Sequence, residues 1–208
     1  GSSAISICPY RTQVTLYRNR IEDAGQGILL WSGGHDFVMD NNLALRTGGM
    51  YGVCRHYQKY WLDIFVPCYF TQWLNNRVEQ GFVYEQGPDS TFATLGLIWK
   101  GTEHPCPAGD ALTMLANVIR GNDLHDNTRL ALTYGGTPFT TSGILDPSSY
   151  GEPGRANLIE NNTISNSKVG LDIGQTKDLL LRNNRIDRCL LPMRDDGINT
   201  WIHPAERL

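Results

Sequence analysis

The chain has 208 residues and a formal net charge of −3 at pH 7, and its 22 glycines and ten prolines are typical of many turns rather than of helices. This charge offers no basic surface of the kind that binds nucleic acid or an anionic membrane, and no apolar run is long enough to span a bilayer. Five cysteines without a C-x-x-C pair argue against a structural zinc site. We expect a single domain over residues 4–208, preceded at residues 1–3 by a tag remnant or a mature terminus.

A short pattern, apolar-x-x-Asn-x-apolar, occurs six times along the chain. Its asparagines are Asn19, Asn42, Asn76, Asn122, Asn162 and Asn184. The intervals between successive asparagines are 23, 34, 46, 40 and 22 residues. A period in the low twenties is typical of a solenoid with one coil per repeat. We therefore interpret the three longer intervals as the same coil carrying insertions.

The repeat from Asn162 to Asn184 shows how one coil is built. Short alternating runs at residues 163–165, 170–174 and 179–181 are separated by turn-forming residues. Alternation predicts three short strands whose apolar faces share one interior. The asparagine is predicted to donate to the next coil and accept from the previous one, which makes a ladder of stacked side chains. It is also predicted to adopt the left-handed conformation of the bend between two strands.

This repeat resembles that of the right-handed parallel β-helix proteins of the pectate-lyase-like superfamily. The resemblance covers residues 14–201 and identifies a fold rather than an activity. It implies a right-handed, single-stranded parallel β-helix of about six coils, in which the asparagine turn separates the second and third strands of each coil. The first strands are then predicted at residues 28–30, 62–64, 97–99, 130–132, 171–173 and 198–200.

Four insertions interrupt the coils, at residues 46–60, 79–95, 101–111 and 135–155. Each of them enters or leaves a predicted first strand, and insertions in a solenoid lie on one face, often the binding face. In the β-helix enzymes that the repeat resembles, the substrate groove lies there. The sequence therefore predicts a groove with the first-strand sheet as its floor and the inserted loops as its walls.

The outward positions of the predicted first strands form two columns on this floor. They are Leu29, Asp63, Ile98, Ala131, Asp172 and Asn199, and Trp31, Phe65, Lys100, Thr133, Gly174 and Trp201. Aromatic rings stack on the CH faces of sugars while polar groups bind hydroxyls. We therefore predict substrate-binding roles for a set of floor and loop residues, which are Trp31, Phe65, Trp201, Asp63, Asn199, Arg55, His56 and Arg194. Alternatively, the rings pack beneath the inserted loops.

Two chemistries fit such a groove. A glycoside hydrolase needs two carboxyl groups about 5–9.5 Å apart, and Asp172 with Asp195 or Asp196 is the predicted pair, although Asp-Asp-Gly is also typical of a turn. A polysaccharide lyase uses a basic residue to abstract the proton beside a uronate carboxyl, and Lys100 is the predicted base. The resemblance implies Ca²⁺ as a cofactor in the lyase case alone, and no metal ligands are predicted.

Together these patterns predict an extracellular or periplasmic protein that acts on polysaccharide or oligosaccharide as a glycosidase or lyase. A non-catalytic glycan-binding or appendage module is the alternative, favoured by the missing Gly-His-Gly signature of polygalacturonases. We predict no nucleic-acid partner and no membrane span, with further copies or additional domains at the ends of the stack. A Cys68–Cys106 disulfide between stacked turns is also expected, with Cys54 as a competing partner.

Overall fold

The computed structural model describes residues 3–7, 11–31, 34–59, 62–66, 68–81, 95–100, 114–127, 130–136, 157–173, 178–195 and 200–203. Within these ranges all regular structure is β-strand and no helix occurs. The 25 strands of the described residues are numbered β1–β25 in chain order and pair into four sheets, which we name A to D.

Sheets A and B hold the strands that do not directly flank one of the repeat asparagines. Sheet A contains β1 (Ser3–Ile7), β5 (Gln26–Trp31), β9 (Met50–Lys59), β14 (Leu95–Lys100), β18 (Leu130–Gly136), β21 (Val169–Ile173) and β24 (Leu191–Asp195), with β10 (Leu62–Val66) paired to β9. Sheet B contains β2 (Arg11–Thr12), β6 (Gly34–His35), β11 (Cys68–Tyr69) and β15 (Met114–Leu115).

Sheets C and D meet at the asparagines. Sheet C contains β3 (Thr15–Tyr17), β7 (Val38–Asp40), β12 (Gln72–Leu74), β16 (Val118–Arg120), β19 (Asn157–Glu160), β22 (Leu179–Arg182) and β25 (Trp201–Ile202). Sheet D contains β4 (Arg20–Glu22), β8 (Leu43–Leu45), β13 (Arg77–Glu79), β17 (Asp123–His125), β20 (Thr163–Ser165) and β23 (Arg185–Asp187).

Neighbouring strands of one sheet come from successive circuits of the chain. Between Asn19 and Asn42, for example, the chain passes through sheets D, A, B and C before it returns to D. The described pairings are parallel, except that β10 runs antiparallel to β9. This all-β arrangement of parallel sheets confirms the coarse prediction and is compatible with a parallel β-helix.

The core is built from one inward column of apolar side chains in each short strand. In sheet C the column includes Met39, Trp73 and Ile119, and in sheet D it includes Val78 and Leu124, all of them fully buried. A three-residue strand places its middle residue inward. This explains why the repeat has apolar residues three positions before and two positions after its asparagine.

One glycine makes room for the largest side chain of this core. Gly52 lies in the inward column of sheet A, where a Cβ would come within 2.7 Å of Leu97 Cδ2 and 3.5 Å of Trp73 Cζ2. Any larger residue would have to displace the Leu97 side chain, so glycine at this position lets Leu97 and Trp73 pack closely in the core.

The asparagine ladder is present and buried, as predicted. Each Nδ2 donates to the Oδ1 of the asparagine in the next circuit over 2.8–3.0 Å, from Asn19 through to Asn184. Each backbone N–H of the same residues donates to that same Oδ1 over 2.9–3.1 Å. A further Nδ2 bond returns to a carbonyl of the preceding circuit, for example from Asn122 to Trp73. The ladder therefore pairs the buried polar atoms of each asparagine with the circuits on both sides.

The left-handed conformation belongs to a different residue than the sequence predicts. The residue before each ladder asparagine has a positive φ, such as 55° at Arg18 and 56° at Asn161, and Gly121 takes this place in the fourth copy with 67°. Because the chain turns one residue earlier, the asparagine itself points inward and can reach its neighbours. Asparagine therefore recurs at this position of each coil because of its side-chain hydrogen bonds, and not because it tolerates a left-handed backbone.

A second, shorter ladder lies at the corner between sheets B and C. Thr71 donates from its N–H and its hydroxyl to Asn117 Oδ1 over 2.9 and 2.8 Å, and Asn117 donates to Asn157 Oδ1. The Trp73 indole N–H also donates to the Thr71 hydroxyl. The sequence pattern missed this ladder because the same column continues with Phe37, an apolar residue that forms no such bond.

Two predicted first strands coincide with sheet A, and two are displaced along it. Residues 28–30 and 171–173 lie in β5 and β21 at equivalent positions of the sheet. Residues 97–99 and 130–132 lie in β14 and β18, but their registers place Leu95 and Leu132 in the column predicted to begin at residues 97 and 130. A displacement of two residues preserves which face each residue occupies.

The prediction at residues 62–64 is wrong in place, and the prediction at residues 198–200 lies mostly outside the described residues. Residues 62–64 lie in β10, an antiparallel partner of β9, and β9 is the strand that continues sheet A. The last strand of sheet A is β24, whereas Trp201 lies in β25 and pairs with Leu180 in sheet C. The strands β5, β21 and β24 each begin seven residues after a ladder asparagine, and β9 and β18 begin eight residues after theirs. A short spacing from the asparagine therefore locates these strands of sheet A better than apolar character does.

The cysteine prediction is also corrected. Cys68 is a free, fully buried cysteine within the core, so it does not form the expected disulfide. The proposed partner Cys106 lies outside the described residues. Cys189 is likewise free and partly buried.

A buried carboxylate is held between two arginines on the outer side of sheet C. Glu160 is 3% exposed, and it accepts from Arg120 and from Arg182, whose Nε lies 2.7 Å from Oε2. Burial raises the pKa of the Glu160 carboxyl, but the hydrogen bonds and charges of Arg182 and Arg120 lower it by more, so its pKa lies below the ordinary 4.5. The ion pair therefore ties three successive circuits together.

We expect Asn122→Ala to lower the free energy of unfolding by about 2–4 kcal/mol, because it leaves two buried donors of Asn76 without their acceptor. Asn19→Ala is the matched control, since Asn19 is half-buried and donates at one end of the ladder. Its cost should be about 1 kcal/mol. Urea denaturation at pH 7 measures both free energies of unfolding. Equal losses for the two variants would contradict the prediction that a buried interior asparagine contributes more than a half-buried one at the end.

Glu160→Gln should lower the free energy of unfolding at pH 7 by roughly 1–3 kcal/mol. Because the folded pKa of Glu160 is depressed, its contribution is complete above pH 4.5 and is lost as the pH falls through the folded pKa. Urea denaturation of both proteins between pH 7 and pH 3 should therefore show their difference shrinking in acid. Glu22→Gln, at a more exposed ion pair of sheet D, is the control, and a gap that stayed constant would refute the assignment.

Candidate functional site

The strand registers define which residues are neighbours on the outer side of sheet A. One outer column consists of Ser6, Leu29, Tyr51, Gly96, Thr133, Asp172 and Arg194. It lies between the core columns that contain Ile28 and Leu30. Leu29 and Asp172 are nevertheless only 6% and 3% exposed, although neither belongs to the core cluster. The outer side of this sheet is therefore shielded from solvent at these two positions.

Asp172 and Arg194 form an ion pair within this column. They are register partners on β21 and β24, and Arg194 Nε donates to Asp172 Oδ1 over 2.5 Å. The Asp172 side chain is 4% exposed and that of Arg194 is 53% exposed. Burying a carboxylate on the outside of a sheet costs desolvation energy, which the guanidinium partly offsets. The column therefore carries one shielded anionic group beside a cation that reaches solvent.

Asp195 does not join Asp172 to make the predicted carboxylate pair. It is the register partner of Ile173, a core residue, and it accepts from the Thr200 hydroxyl over 3.0 Å. Alternation along β24 places Arg194 and Asp195 on opposite sides of the sheet, so Asp195 is on the side away from Asp172. The other predicted partner, Asp196, lies outside the described residues.

The structure brings two of the predicted basic residues to neighbouring positions. Lys100, the last residue of β14, is the register partner of Arg55 on β9. Trp31, the last residue of β5, is paired with Val53, two positions earlier on β9. Lys100 therefore lies beside Arg55 in sheet A, and the predicted column in which it follows Trp31 and Phe65 is not formed.

The remaining predicted binding residues are dispersed. Phe65 pairs with His56 and Asp63 pairs with Gln58 in the β9–β10 hairpin, so these three predicted residues share one extension of sheet A. Trp201 is 67% exposed but lies on sheet C, away from that hairpin in register. Asn199 lies outside the described residues.

Sequence reasoning missed Tyr51, Gly96 and Thr133 as the outer-column neighbours of Leu29 and Asp172. The strand that holds Tyr51, β9, begins eight residues after Asn42. A spacing of seven residues from the asparagine would therefore have predicted its start to within one residue. The insertion before β14 leaves no spacing from which Gly96 could be read, whereas β18, which holds Thr133, begins eight residues after Asn122.

A second charged cluster lies at the C-terminal ends of two neighbouring strands of sheet D, β13 and β17. His125 Nδ1 lies 3.1 Å from Asp126 Oδ2, and its Nε2 lies 3.7 Å from Glu79. The hydrogen bond with His125, followed by one from Asn166, lowers the pKa of the Asp126 carboxyl below its ordinary value.

No group of three or more metal-binding side chains occurs among the residues that the structure describes. Within the same residues, no helix is long and apolar enough to cross a membrane.

No protein-family model matches this chain, and neither the curated proteins nor the solved structures contain a significant match to it.

Proposed function

We propose that this protein is a right-handed, single-stranded parallel β-helix of about six coils that acts on polysaccharide in a groove over sheet A. The parallel sheets and the continuous buried ladder support the fold assignment. The pectate-lyase-like resemblance of the repeat supports the handedness, since a right-handed crossover is also the rule for parallel strands. We further propose that the protein works outside the cell or in the periplasm, where polymeric glycans are found.

The observation that carries this proposal is the shielded Asp172 carboxyl on the outer side of sheet A. Glu160 shows that a buried, arginine-paired carboxylate can stabilise the stack. Asp172 differs because it lies on the sheet that the insertions enter or leave, where an enzyme needs an acid or base held in a fixed position. The Arg194 Nε–H donates to Oδ1 of Asp172 and fixes the position of this carboxyl. In a glycoside hydrolase Asp172 would be the base or nucleophile, and Asp196 remains the proposed acid. In a lyase Arg194, Arg55 or Lys100 would take the substrate proton.

A non-catalytic glycan-binding module is the second candidate. It is favoured by the position of Asp195, which lies on the opposite side of the sheet from Asp172. Of the described residues in the outer column, Asp172 alone is acidic. In this case Asp172 and Arg194 would bind sugar hydroxyls without cleaving a bond.

Ca²⁺ would act in the lyase case alone, where it would neutralise the carboxyl of the substrate. The ion takes six to eight oxygen ligands, and the described residues hold no group of three or more metal-binding side chains. Ca²⁺ is therefore a variable of the assay below.

We expect the purified chain to cleave one member of a panel of pectin, alginate, laminarin, xylan and hyaluronan. Reducing ends without absorbance at 235 nm identify a hydrolase, and both signals together identify a lyase. In the hydrolase case, Asp172→Asn should lower kcat by about 10²–10⁴-fold, because the isosteric amide cannot act as the base or nucleophile. Asp123→Asn, on sheet D beside Arg77, is the matched control and should keep full activity.

Each variant is first checked by urea denaturation to be fully folded under the assay conditions. Binding without cleavage would favour the second candidate, and Asp172→Asn should then weaken the binding. If the chain neither binds nor cleaves any polysaccharide of the panel, with and without Ca²⁺, the proposed function is wrong.

A further inference from the structure

Phe70 stands at the corner between sheets B and C and combines two features that each disfavour the folded state. Its φ is 55°, in the left-handed region that crowds any side chain with a Cβ. The residue is 47% exposed, so nearly half of its surface gains little from folding. An asparagine or glycine would satisfy this corner better on both counts.

Among the described residues, nine of the fifteen other non-glycine residues with positive φ are asparagine or aspartate, and the remaining six are glutamine, arginine or alanine. Residues with positive φ end the strands of sheets B, C and D, and apart from glycine they are Gln13, Arg18, Asp23, Asp36, Asn41, Arg46, Asn75, Gln80, Ala116, Asp126, Asn161, Asn166, Asp178, Asn183 and Arg188. Among the described residues, Phe70 is the one aromatic side chain in this conformation. An aromatic residue that is held in this conformation and is about half exposed points to a function.

The neighbours of Phe70 supply both apolar and polar surface. Tyr69 meets it edge to face, with ring centroids 6.3 Å apart. In the preceding circuit, His35 is the register partner of Tyr69, and the Asp36 N–H donates to the Tyr69 carbonyl over 3.1 Å. His35 Nδ1 lies 2.7 Å from Asp36 Oδ2, and half of the Asp36 side chain is exposed. An aromatic ring thus lies beside a carboxylate and an imidazole on one corner.

From this geometry we propose that Phe70 is a stacking platform for a sugar ring of the polysaccharide, with Asp36 and His35 as partners for its hydroxyls. The ring face binds the apolar CH side of a pyranose, while the carboxylate accepts and the imidazole donates or accepts hydrogen bonds. This inference rests on the proposed function and extends its site beyond sheet A. The chain reaches Cys68 two residues after the β9–β10 hairpin ends at Val66, so the platform follows directly from the wall of the groove.

A protein partner fits this surface less well. A stable protein interface buries about 800 Å² on each side, and two aromatic side chains bury at most about 150–250 Å² each. The mixture of one exposed ring with one exposed acid is suited to a single sugar unit instead.

The test uses the full chain and the polysaccharide panel named above, coated on a surface for binding measurements. We expect Phe70→Asn to raise the urea midpoint, since it relieves both unfavourable features, and yet to weaken binding about tenfold, a loss of one stacked ring. Phe70→Trp should retain the affinity, whereas Phe70→Leu, which is apolar but has no ring, should lose it. Tyr17→Asn is the control, because Tyr17 is 49% exposed on sheet C and stacks against Arg18.

The outcomes separate this inference from the proposed function. If the wild-type chain binds a polysaccharide and Phe70→Asn binds it equally well, the platform is wrong and the function stands. If the wild-type chain binds none of the panel, both fail. If sedimentation shows that Phe70→Asn dissociates an oligomer while sugar binding is unchanged, the corner is a protein contact and the inference is overturned.

Discussion

The hydrogen bonding of stacked asparagines is the constraint on which the other parts of this fold depend. In the four interior asparagines, Oδ1 accepts from two donors of the previous circuit, and Nδ2 donates both to the next asparagine and to a carbonyl of the preceding circuit. A shift of one residue in any circuit would move an asparagine out of this line and leave buried polar atoms unpaired. The ladder therefore sets the register of sheets C and D, and the turn that follows sheet D delivers the chain to sheet A.

The sequence predicted the parts of the structure that this ladder controls directly. Asparagines with apolar residues three before and two after gave the inward columns of sheets C and D, because those positions lie next to the ladder. The register of sheet A was harder to predict, since insertions separate it from the preceding asparagine or from the following sheet. Leu62–Val66 has a stronger apolar alternation than Met50–Lys59, and only the three-dimensional pairing shows that the latter continues the sheet.

The candidate site divides in the same way. Asp172 lies in a circuit without an insertion, so its outward position followed from alternation alone. Its ion pair with Arg194 depended on β24, whose residues Leu191–Asp195 do not alternate clearly in hydrophobicity. Phe70 gave no signal at all in the sequence, because nothing distinguishes an exposed aromatic residue from a core residue until the left-handed corner is known. Local conformational cost, rather than composition, identified it.

The corner that carries the ladder lies between sheets C and D, whereas the insertions open from sheet A. Asparagines separated by 22 residues and by 46 residues are joined by bonds of nearly equal length, 2.8 and 3.0 Å. The length of chain between two circuits is thus independent of how closely they stack. Segments on the sheet A side can be exchanged, lengthened or shortened by recombination without disturbing the stack beneath them. Such a scaffold allows new specificities to arise by loop replacement alone, in evolution and in engineering.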